Sequence, residues 1–122
     1  MGNKQAAVAF MQLASAGRVE EAYASYVAPG FRHHNPWFAA GAEVLKKGME
    51  DNARENPQKS FEVKRVIEEG DLVAVHSHVR MKPGHPGYAL IHICRFEQGR
   101  IAELWDVGME IPADIVNTDG VF

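Results

Sequence analysis

Four ionisable side chains stand at alternating positions in the second half of the chain: His76 and His78 in LVAVHSHVR, His92 in YALIHICRF and Asp106 in RIAELWDVG. Side chains alternate across a strand, so residues two apart share a face. In the first of these segments the even set is Ala74, His76, His78 and Arg80, and the odd set is Val73, Val75, Ser77 and Val79. In the other two, the even sets are uncharged but for Asp106, with His92 as the other strongly polar member. The odd sets carry Arg95 and Glu103, which read as solvent-facing charges. Alternation does not say which set faces inward. If the even sets do, His76, His78, His92 and Asp106 converge on one cavity, at a cost in stability unless they pair or bind something.

Each candidate also has a plainer reading. Two histidines about 7 Å apart on one strand face can ligate a metal, with His92 as a third ligand. They serve equally as a polar wall, and the reading adopted is no metal and no cofactor. Asp106 can be an acid/base or an ion-pair partner of Arg80. His92 can act on a substrate oxygen or be a core histidine bonded to a backbone carbonyl. Cys94 shares a face with His92, but a small buried cysteine is commoner than a nucleophile. His34 and Asn35, before Pro36, Trp37 and Phe38, form a polar loop, with His34 expected toward the pocket and His33 toward solvent. Trp37 and Phe38 are candidates for its mouth, and His85 reads as an exposed loop residue.

The elements that must position these groups follow from periodicity. Apolar residues at helical spacing predict helices over about 4–16, capped by Asn3 and stopped by Gly17, over 19–27, ended by Pro29-Gly30, and over 42–54. Residues 31–36 read as too short and too polar for a core strand. After Pro57 the period becomes two, with Phe61, Val63 and Val66 on a strand that turns at Glu68-Glu69-Gly70-Asp71. Strands follow over 72–81, 88–96 and 100–108, the last two joined at Gln98-Gly99. Helices first and antiparallel strands afterwards is an α+β pattern, and a curved sheet around helices leaves a hollow that can hold a ligand.

The chain has 122 residues, 46% hydrophobic and 24% charged, with a net charge of -3. That is one domain by size, spanning 1–122. Mixed charges argue against a nucleic-acid partner. No stretch approaches a membrane span, and no apolar signal core opens the chain. The single cysteine permits no internal disulfide, so the expected location is cytoplasmic. Ile91, Ile93, Trp105 and Val107 make an apolar outer sheet face, of a kind that a two-fold dimer would cover.

The stretches FRHHNPWF (31–38), DLVAVHSHVR (71–80), IHICRFEQGRIAELWDV (91–107) and NTDGVF (117–122) resemble the SnoaL-like group, relatives of polyketide cyclases within the nuclear-transport-factor-2-like superfamily. The resemblance implies a cone of helices in a curved antiparallel sheet, a homodimer packed sheet to sheet and a small-molecule ligand. It implies Asp106 as general acid/base in an aldol-type reaction, with His92 and His34 as helpers. Asn35, His76, His78, Arg80, Trp37 and Phe38 complete the expected substrate-binding set. Such chemistry begins by taking a proton from the carbon beside a carbonyl, which suits a carboxylate in an apolar surround. The alternative function is a non-catalytic binding dimer of the same fold.

Overall fold

In the computed structural model, which describes residues 2–122, three helices pack on one five-stranded sheet. The elements are α1 (Asn3–Ser15), α2 (Val19–Tyr26), β1 (Val27–His33), α3 (Ala42–Glu55), β2 (Ser60–Glu69), β3 (Leu72–Arg80), β4 (Tyr88–Glu97) and β5 (Arg100–Glu110). The strand order is β1-β5-β4-β3-β2. Four strands form an antiparallel meander, and β1 adds to the edge parallel to β5. The sheet is therefore mixed rather than wholly antiparallel, and Val27–His33 is a strand where the sequence predicted the end of a helix followed by a segment too polar for a core strand. Polar residues suit an edge position, and Pro29-Gly30 falls in an irregularity between the paired residues Val27 and Arg32. A proline without an N–H is tolerated there.

Local chemistry accounts for most element ends. Gly2, not Asn3, is the N-cap of α1. At its other end the Arg18 N–H bonds the Leu13 carbonyl and the Gly17 N–H bonds that of Ala14, with Gly17 at φ 86°. This is the six-to-one and five-to-two closure that favours glycine. Gln98 and Gly99 both have positive φ, 51° and 79°, between the paired residues Glu97 and Arg100. That backbone matches the twist of the strands it joins.

Two register shifts reorganise the alternation. Lys64 is left unpaired in β2, so Phe61, Val63 and Val66 all turn toward the core despite their uneven spacing. Ala102 is skipped in β5, so Ile101 and Leu104 both enter the core, where a strict alternation would have put Ile101 outside with Glu103. Such bulges re-aim side chains along a strand. The core is built by Ala7, Phe10 and Met11 of α1 against Val73, Val75, Cys94 and Leu104 of the sheet. Full burial of a side chain such as Phe10 or Leu104 contributes roughly 1.5–3 kcal/mol. Burial pushes the Cys94 thiol up to about 12, as befits a core cysteine rather than a nucleophile.

Candidate functional site

The inner sheet face changes character along its length. Cys94 and Leu104 lie under α1, whereas His92 and Asp106, directly paired across β4 and β5, lie further toward the open end. There a cavity of about 220 Å³ is walled mainly by apolar side chains, among them Met11, Leu45, Phe61 and Leu90. Asp106, His92, Asn35 and Phe38 also line it. It adjoins a wider vestibule of about 540 Å³ bordered by Trp37, Tyr88 and Met109. Asn35, His92 and Asp106 line both spaces and so stand at their junction.

A chain of hydrogen bonds fixes the carboxylate. His33, at the end of β1, is buried, and the Asn35 N–H donates to its Nδ1 at 3.1 Å. Its proton therefore sits on Nε2, which donates to the Ala39 carbonyl at 2.9 Å. His33 thus pins both sides of the loop. Within the loop, Asn35 Oδ1 accepts from the Trp37 N–H at 2.9 Å. That bond orients the amide so that Nδ2 donates to Asp106 Oδ2 at 2.9 Å. Among the described residues no other protein group bonds the Asp106 carboxylate.

His92 is set by burial. Its Nδ1 is buried and has no partner among the described residues. Burial pushes its pKa down to about 4; the Asp106 charge opposes that shift and Lys59 adds to it. The imidazole is neutral at pH 7, with one nitrogen able to donate and the other to accept. Gly48 of α3 shapes the opposite wall. A Cβ there would overlap the Phe38 ring, so the absent side chain lets Phe38 lie against the helix.

The expected convergence of four ionisable groups does not occur. Val75 pairs with His92, and His76 with Ile91. An even number of residues separates the paired positions Val79 and Tyr88, so the odd set of β3 shares the inner face with the even set of β4. His76, His78 and Arg80 therefore lie on the outer face and are not pocket residues. His76 Nδ1 accepts from the Arg65 guanidinium, and His78 Nε2 donates to the Pro86 carbonyl at 2.7 Å. The Phe122 ring covers both, at 5.4 and 4.8 Å between centroids. The same register removes the Arg80–Asp106 ion pair and splits the postulated metal triad of His76, His78 and His92 across the sheet. No group of three metal-ligating side chains comes together among the described residues.

His33 and His34 exchange the places expected of them. The parallel register puts His33 beside Leu104 and Arg32 beside Glu103, which sends His34 outward. There its Nε2 meets Glu103 Oε2 at 2.6 Å and its ring stacks on Trp105, 5.1 Å away and 6° from parallel. Arg32 and Arg95 each reach Glu103 at 3.2 Å. Glu103 and Arg95 are on the outer face, as alternation suggested, but the Glu103 side chain is only 8% exposed beneath its partners. The His34 bond, with the two arginines, holds its carboxyl below the usual range. Trp37 is 86% exposed beside the vestibule, and Phe38 lines the inner chamber.

Sequence reasoning missed Lys59 and Asn52. Both line the inner chamber, and Lys59 Nζ donates to Asn52 Oδ1 at 2.8 Å. Lys59 precedes β2 and Asn52 lies in the last turns of α3, so only packing brings them to the cavity. The sole sequence signal was a lysine next to the first core-facing strand residues.

With the fold and pocket established, the class is clear. The family model of the SnoaL-like domain matches residues 7–104, and the chain belongs to that family. Its nuclear-transport-factor-2-like fold is shared by a SnoaL-family protein of Agrobacterium tumefaciens described as a candidate isomerase. That match has a TM-score of 0.73 at 13% identity, covering 89% of this chain and 99% of that one. A candidate polyketide cyclase of Acidithiobacillus ferrooxidans gives 0.69 at 18% identity, covering 87% of each chain. An NTF2-like protein of unknown function from Cytophaga hutchinsonii gives 0.71 at 17%, covering 89% and 91%. No curated protein matches the sequence. No helix of the described residues is long and apolar enough to cross a membrane.

Proposed function

We propose that the chain is a cofactor-free acid/base catalyst acting on a small carbonyl compound held at the junction of chamber and vestibule. One observation carries this reading: a carboxylate with one oxygen fixed by Asn35 stands beside a half-buried, neutral His92 in a largely apolar pocket. Asp106 Oδ1 takes the proton from the carbon beside the carbonyl. The enolate oxygen that forms accepts a hydrogen bond from His92, which gives up no proton. For an aldol-type step, the enolate carbon bonds to a second carbonyl carbon, and the resulting alkoxide recovers the proton from Asp106. For an isomerisation, the proton returns to a different carbon. Either way the carboxylate ends as it began. Asn35 takes over the helper role first assigned to His34.

The experiment is deuterium exchange at the α-carbon of small ketones, followed by NMR, with wild type and Asp106→Asn. Exchange is expected in wild type and lost in the variant, with the melting temperature unchanged. Undiminished exchange in the variant would remove Asp106 from the mechanism.

We further propose that two copies pair through the outer sheet face. Ile91 and Val107 are exposed there, Val107 by 63%, and large exposed apolar side chains on one face favour an interface.

A further inference from the structure

The pocket has a second polar pole. Lys59 donates one hydrogen bond, to the neutral amide oxygen of Asn52, although an ammonium carries three N–H groups. No carboxylate pairs with it among the described residues, and burial alone pushes its pKa down. Asp106, the acid of the same chamber, is bonded to Asn35 instead. Yet Lys59 is near enough to His92 to disfavour a proton there. His92 thus feels both poles, the Asp106 carboxylate and the Lys59 ammonium, and the chamber that all three line is otherwise walled by apolar side chains such as Leu90, Phe61 and Met11. An unneutralised cation against apolar walls costs stability unless something pairs with it.

We propose that Lys59, steered by Asn52, is an anion-binding subsite, and that the ligand is a small organic acid. Its carboxylate pairs with Lys59 while its carbonyl-bearing end reaches His92 and Asp106. The chamber, at about 220 Å³, is smaller than the roughly 300–1,000 Å³ of sites for drug-sized ligands, which limits the acid to a compact body. The inference deepens the proposed reaction by naming its substrate class. It rests on that reading only for the ligand's second, reacting end.

The test is calorimetric binding of benzoate, phenylacetate, 3-phenylpropionate, levulinate and 3-benzoylpropionate, each beside its neutral primary amide. At least one acid should bind wild type about tenfold or more tightly than its amide, which would be about 1.4 kcal/mol. Lys59→Met and Lys59→Gln should abolish that preference, Lys59→Arg should keep part of it, and Asp106→Asn should keep it in full. Both neutral variants should melt no lower than wild type, because they remove a half-buried charge that no carboxylate neutralises. No acid binding better than its amide at up to about 10 mM overturns the proposal, as does a preference that survives in Lys59→Met or Lys59→Gln. Because binding is read in Asp106→Asn as well, loss of exchange chemistry and loss of acid recognition are separate results.

Discussion

Acid should destabilise this fold through His92 before it does so through the carboxylates. The imidazole has its ordinary pKa of 6.5 in the unfolded chain and about 4 when folded. Between those values the unfolded chain binds more protons, so stability rises with pH across that window and is lost as pH falls through it. The full gap of about 2.5 pH units corresponds to about 3 kcal/mol, and the part lost between pH 7 and pH 4.5 to about 2 kcal/mol. Stopping at pH 4.5 avoids the depressed Glu103 carboxyl, whose contribution disappears only below the usual glutamate range. His76, lowered by partial burial and by Arg65 and Lys64, adds a slope of the same sign. Comparison with His92→Leu cancels both contributions, since they are present in each protein. The assay is urea unfolding at half-unit pH steps from 7 to 4.5. Wild type should lose about 2 kcal/mol more than His92→Leu over that range. The leucine variant should be no less stable at pH 4.5, because it removes a buried nitrogen without a partner. Parallel slopes for the two proteins, or a His92 that titrates near 6.5 by NMR, would refute the claim that burial keeps it neutral.

The remaining predictions concern the loop and the outer face. Asn35→Ala removes the bond to Asp106 and the Trp37 N–H contact. It should lower α-carbon exchange at least tenfold while costing roughly 1–3 kcal/mol of stability, by exchange kinetics and thermal melting; full activity would show that Asp106 needs no fixing. Ile91→Lys with Val107→Lys should turn a dimer into a monomer by light scattering at micromolar concentration. A monomeric wild type, or a double variant of unchanged mass, would place any pairing elsewhere.

Much of this molecule was legible locally. Helix periodicity, the Gly17 stop, the Gln98-Gly99 turn and the change to a period of two depend on neighbours a few residues apart, so the sequence alone located three helices and four of five strands. It also singled out His92 and Asp106, whose strands are joined by that short turn. What a strand cannot encode by itself is which of its two faces meets the core. Each alternating set is consistent within its own strand, and the pairing register decides between them. The Arg80–Tyr88 connection put His76, His78 and Arg80 outside with His92 inside, and the bulge at Ala102 paired Asp106 with His92 on that inner face. The parallel pairing of β1 with β5 joins segments about seventy residues apart, and that long-range contact sent His33 inward and His34 outward. Lys59 and Asn52 meet locally, seven residues apart, but only the packing of α3 against the rest of the fold makes them part of the pocket wall. Side-chain types and their alternation were fixed along the chain, and the identity of the pocket was fixed by the register between strands.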